Sequence, residues 1–158
     1  MHEQIQDLEA TLHHEIPITQ SLGLTVESYN GQILRLKAPL EPNINHKDTA
    51  FAGSLNALLT LSGWGLVWLI LKEAEIGAKI VIQDSQVKYL QPVATDFVAT
   101  CHKPESAQIG RFENMLRIKG KARLELSAEI WDGGHLAVTF QGRYVVHLIE
   151  LISPALKI

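Results

Sequence analysis

The chain has 158 residues, 46% of them apolar and 20% charged, with a formal net charge of −3. That length fits one domain able to bury a core without staples. The small negative charge argues against a nucleic-acid binder, which carries a basic excess, and a single cysteine, Cys101, excludes an internal disulfide. Residues 1–15 carry Glu3, Asp7, Glu9 and Glu15 and no apolar leader core, so a cytoplasmic location is expected.

Residues 2–14 place Ile5, Leu8 and Leu12 on one helical face, and Pro17 ends or bends that helix. A bridge through Ile18 and Leu22 leads to a strand over 24–29. Asn30-Gly31 then predicts a tight hairpin turn. The return strand, 32–38, alternates Leu34, Leu36 and Ala38 with Arg35 and Lys37, giving one buried and one wet face. Pro39 and Pro42 break the sheet, and a polar loop follows over 41–49.

A helix is expected from Gly53 or Ser54 to Lys72, with Ser54 or Thr49 as its cap. Leu55–Leu71 is mostly apolar, but Asn56, Thr60 and Ser62 interrupt it. It is shorter than the roughly 20 residues a bilayer requires, so it reads as a helix buried in a core rather than a membrane span. Gly77 closes this segment. Strands are expected over 79–90 and 96–102, separated by Gln91-Pro92. Ile109, Phe112 and Leu116, with Met115 beside them, predict a short helix within 104–118. Strands over 121–130 and 136–148 flank an Asp132-Gly133-Gly134 turn.

One long apolar helix among strands has no second helix large enough to bury it. The sheet must wrap it. The fold class is therefore α+β, with an antiparallel sheet of five or six strands curled about one helix, the hot-dog arrangement. Such a sheet has open edges, which invite a second copy. A homodimer or a dimer of dimers is expected.

Candidate chemistry concentrates in Pro42–Leu55, where a polar loop meets the start of the central helix. A helix N-terminus offers free N–H groups and partial positive charge. Small residues such as Ala52 and Gly53 let a ligand oxygen approach closely, and Ser54 completes the set. Such a terminus can polarise a thioester carbonyl or hold an enolate oxygen; an ordinary loop and cap would read the same way. His46 is a candidate acid or base, or a solvated loop residue. Asp84 could face a partner's pocket, or simply pair on the wet face. Trp64 and Trp68 read as core packing, as does Cys101 in its alternating stretch. The remaining histidines lack metal-ligand spacing, so no metal is expected.

The segment Asn45–Thr60 resembles the signature of hot-dog thioesterases, an Asn before a His-Gly-Gly at the helix start with a carboxylate two turns on. Asn45 and Gly53 match, Phe51 stands for the His, Ala52 for the first Gly, and Thr60 for the acid. It is more similar to a thioesterase-like subfamily with Asn-His-x-x-Thr-x-Phe-x-Gly-Ser-Leu and then Gly-Trp-Gly. Those are Asn45, His46, Thr49, Phe51, Gly53, Ser54, Leu55, Gly63, Trp64 and Gly65 here. The subfamily occurs alone or fused behind an acetyltransferase-type domain, and some members are linked to decarboxylation of malonyl-acyl-carrier protein.

The resemblance implies an acyl-carrier-protein or coenzyme A thioester as substrate, with no cofactor. Hydrolysis needs a base or a nucleophilic carboxylate, and residues 53–71 contain no Asp, Glu or His. Decarboxylation needs an oriented carboxylate, a dry pocket and donors for the enolate. Asn45 and Thr60 suit that orienting role, so malonyl decarboxylation is expected first. A thioesterase using Asn45 with His46 or Asp84, or a non-catalytic thioester-binding module, are the rivals. An acidic carrier would call for a basic patch, for which Lys79, Lys88, Arg111, Arg117, Lys119, Lys121 and Arg123 are available.

Overall fold

In the computed structural model, which describes residues 1–149, helix α1 (His2–Glu15) buries Leu8 and Leu12. Pro17 bends the chain as expected, but the bridge after it is itself a short helix, α2 (Ile18–Leu22). It closes on Gly23 at φ 70°, a left-handed stop that glycine tolerates. Strands β1 (Thr25–Tyr29) and β2 (Ile33–Ala38) form the hairpin. Asn30 Oδ1 accepts the N–H groups of Gln32 and Ile33 at 2.9 and 2.8 Å, which fixes the turn.

The central helix α3 spans Ala52–Glu73. It is long and apolar enough to cross a membrane, but 72% of its most apolar window is buried inside the fold. Then come β3 (Ala78–Tyr89), β4 (Phe97–His102), helix α4 (Ser106–Lys119), β5 (Lys121–Asp132) and β6 (His135–Leu148). In α4, Phe112 and Leu116 are buried, whereas Met115 is 49% exposed. It lies on the flank of the helix, about 60° around the axis from Phe112 and about 100° from Leu116.

The six strands form one antiparallel sheet in the order β1-β2-β4-β5-β6-β3. Period-two alternation points Leu34, Leu36, Leu124, Leu126 and Phe140 toward α3. This is the hot-dog arrangement. Polar ties fasten α3 to it. Tyr144, fully buried on β6, donates its hydroxyl to the Thr60 carbonyl at 2.6 Å. At the other end Glu73 accepts Tyr29 Oη at 2.6 Å and Lys103 Nζ at 2.7 Å. Cys101 is buried on β4, and burial pushes its thiol up to about 12, with a Ser62 hydrogen bond working against the shift.

The order leaves β3 at an edge. It is 12 residues long, largely exposed, and carries Val81, Ile82 and Tyr89 in the open. β4 pairs with β5 only over Ala99–Cys101. Beyond that, α4 takes the place of a strand alongside the first half of β5.

Candidate active site

The loop before α3 is held by its own side chains. Asn43 is buried and donates to the carbonyls of Leu22 and Pro39 at 2.9 and 2.8 Å. Asn45 ties the next turn. Its Oδ1 accepts the N–H groups of Lys47 and Thr49, and its Nδ2 donates to Thr49 Oγ1 at 3.0 Å and Ala50 O at 3.4 Å. The amide is thus committed within the loop, and it sets the course of the chain into α3. His46 points out of the same loop and is exposed.

α3 starts at Ala52, three residues earlier than Ser54 would require of a cap. Ser54 therefore lies inside the first turn with its side chain buried, and Thr49 is not the cap either. The N-cap is Phe51, which makes no side-chain capping bond. The N–H groups of Ser54 and Leu55 both go to the Phe51 carbonyl, at 3.0 and 3.1 Å. Ser54 is therefore not a free donor. Among the described residues, Ala52 and Gly53 give their N–H groups to no acceptor. Both residues are exposed, and they are the open end of the helix dipole. A Cβ at Gly53 would overlap the Phe51 ring, which folds over this spot.

From there a single stripe of α3 stays half-open: Asn56, Ala57, Thr60, Trp64 and Trp68, while the other side chains from Ser54 to Leu71 are buried. Steps of three and four bring these positions onto one face with Gly53. Thr60 Oγ1 donates to Asn56 Oδ1 at 3.4 Å. Asn56 is thus paired with the Thr60 position, a role that sequence reading gave it no share in. The signal was available, since Asn56 and Thr60 are polar residues four apart in an apolar helix. Tyr89 was also missed. It stands on β3, and its hydroxyl donates to the Ala52 carbonyl at 3.2 Å. Burial raises its pKa. Nothing in strand periodicity marks a tyrosine as a neighbour of a helix start.

Asp84 lies apart from these groups. It is exposed on the outer face of the sheet, where Arg143 bridges Asp84 at 3.5 Å and Glu125 at 2.8 Å. These residues line a cleft of about 440 Å³ that opens away from α3. Trp64 and Trp68 pack against the core along one edge, and Lys72 Nζ sits 5.0 Å from the Trp68 ring centre.

Residues 5–148 match the family described as "putative thioesterase (yiiD_Cterm)". A protein of unknown function from Chlorobaculum tepidum is 36% identical over 91% of this chain and 94% of its own, with a TM-score of 0.89. A putative thioesterase from Shewanella oneidensis is 32% identical over 94% of this chain and 100% of its own, at 0.82. A thioesterase from Haemophilus influenzae, 15% identical over 94% of each chain at 0.70, shares the fold.

Proposed function

The chain belongs to this thioesterase family, and from that premise we propose that it cleaves an acyl thioester with water at the head of α3. The observation that carries the reading is the pair of open N–H groups at Ala52 and Gly53, continued by the half-buried polar pair Asn56 and Thr60. A thioester oxygen laid on those donors is stabilised as charge develops on it. The water oxygen bonds to the carbonyl carbon, the C–S bond breaks, and the thiolate takes up a proton. A carboxylic acid and a free thiol leave. Thr60 and Asn56 orient the water or the acyl group, and Phe51 shields the carbonyl. Asn45 acts as a positioning residue through the loop it ties. The stripe on α3 offers no base, so His46, exposed on the loop before it, is the candidate for that role; Asp84 faces the other side of the sheet, paired with Arg143.

A second copy is part of the same reading. An exposed edge of 12 residues such as β3 favours pairing with an identical edge about a two-fold axis, which would wall the stripe. Light scattering that gave a monomer at micromolar concentration would contradict it.

One observation favours a second reaction, decarboxylation of a malonyl thioester. Asn56 and Thr60 are neutral, so a substrate carboxylate meets no like charge on the stripe. There the carbon–carbon bond breaks, carbon dioxide leaves, the electron pair passes to the oxygen held by Ala52 and Gly53, and the carbon takes a proton. Incubation with acetyl and malonyl thioesters of carrier protein and of coenzyme A, read by mass, separates the two. Free carrier thiol is the expected product. Acetyl-carrier protein accumulating from the malonyl substrate would select decarboxylation, and no turnover of any thioester would refute both.

A further inference from the structure

The chain is acidic overall, yet one end of it is basic. Lys121 on β5 lies opposite His147 on β6, which lies opposite Lys79 on β3, so two lysines flank a histidine in one cross-strand row. The last turn of α4 adds Arg117 and Lys119. Arg111, Lys119, Lys121 and Arg123 rim a cleft of about 600 Å³ between α4 and β5, and Phe112 and Met115 also line it. None of the salt bridges among the described residues involves these cations. Arg117 and Arg123 are held by neutral partners, the Ala74 carbonyl and Gln83. Glu125, which also lies on β5, is engaged by Arg143. Lys88, grouped with these residues on sequence, stands toward the other end of β3 opposite Thr139 and does not belong to the patch.

We propose that this basic, apolar-lined cleft docks an acidic protein surface, that of the carrier bearing the acyl thioester; the proposal rests on the thioester reading above. Charge complementarity is the argument. The cations do not converge on one point as donors around a phosphate do. Arg111 to Lys119 spans about 12 Å of helix at roughly 1.5 Å per residue. The Lys79–His147–Lys121 row spans about 10 Å at the usual strand spacing. Such a dispersed array matches carboxylates spread along a helix of the partner, with the cleft taking one of its apolar side chains.

The patch lies at the far end of α3 from Ala52, about 33 Å away at the usual rise of a 22-residue helix. Antiparallel pairing of two β3 edges turns one copy end for end against the other. It brings each patch to the Tyr89 and Ala52 end of the second copy, so the carrier serves the groove across the dimer.

The test is binding of a holo acyl carrier protein, followed by anisotropy at 50 and 500 mM salt. Lys119→Glu with Lys121→Glu is expected to weaken binding about tenfold or more at low salt and less at high salt. Arg111→Glu, on a different turn, is an independent second variant. Lys37→Glu, exposed on β2, should leave binding unchanged, and thermal midpoints confirm that each variant folds. Turnover of acyl-coenzyme A should not change in the double variant, while kcat/KM for the acyl carrier falls with binding. Unchanged carrier binding in both patch variants overturns the proposal. So does an equal rise in KM for acyl-coenzyme A, which would assign the patch to nucleotide phosphates. If the parent protein turns over no thioester, the function reading fails, and the binding comparison still decides the docking surface.

Discussion

Gly63→Ala should destabilise this protein, although alanine is the better helix former. In an exposed helix interior the exchange gains about 1 kcal/mol. Here a Cβ at position 63 would overlap the hydroxyl and ring of Tyr144. Tyr144 is fully buried and cannot swing out, and its hydroxyl is committed to the Thr60 carbonyl at 2.6 Å. Overpacking a tight core costs about 1–3 kcal/mol, and losing the hydrogen bond adds about 1 kcal/mol. Set against the propensity gain, the net loss is about 1–3 kcal/mol. For a chain of this size that lowers the melting temperature by roughly 3–10 °C. Tyr144→Phe alone should cost about 1 kcal/mol. In combination with Gly63→Ala it removes the atom that collides worst, so the pair should cost less than the sum of the singles. Urea unfolding of the three variants measures all of this. A Gly63→Ala protein more stable than the parent would refute the close approach of β6 to α3.

Thr60→Val keeps the shape of the side chain and removes its hydroxyl, and should slow turnover by the roughly 1–3 kcal/mol of such a hydrogen bond. Thr60→Asp should repel a malonyl group by about 4 kcal/mol at about 4 Å and an effective dielectric of about 20, while sparing uncharged acyl thioesters; equal effects on both would remove Thr60 from the acyl site. Asn45→Ala releases the turn that enters α3 and should cost about 1–3 kcal/mol, measured by thermal unfolding, together with turnover at the α3 terminus. Cys101 should resist thiol reagents until the protein unfolds. Its ordinary pKa of 9.0 is pushed up to about 12 by burial, so its contribution is whole below pH 9 and is lost as pH rises toward 12. By pH 11 that loss is about 2–3 kcal/mol. Tyr144, raised by burial, and Tyr29, raised by burial and by Glu73, act in the same direction above pH 10. Urea midpoints that stay flat from pH 8 to 11 would contradict the burial of all three.

The sheet and the central helix were legible because their periods are. Leu34, Leu36 and Ala38 alternate, and α3 is apolar on nearly every side, so each declares what must lie against it. The helix start was less legible. Ser54 has a capping side chain, but the chain enters α3 three residues earlier, steered by backbone bonds from Phe51 to Asn43 and from Ala50 to Val93. Long-range bonds of that kind leave no local pattern. Asn45 was singled out by resemblance, yet its amide is spent on Lys47, Thr49 and Ala50, a commitment that residue type does not reveal. The basic patch was half legible. Lys79 and Lys121 lie far apart in sequence and meet only because β6 runs between β3 and β5.

The open edge of β3 also bears on how stability should be measured. If a second copy pairs along those 12 residues, it binds the folded chain and not the unfolded one, so association and folding share one equilibrium. By mass action the melting temperature then rises with protein concentration. Substitutions at Val81 or Ile82, which touch little inside a lone subunit, would then be silent in dilute solution, where subunits stand alone, and destabilising in concentrated solution.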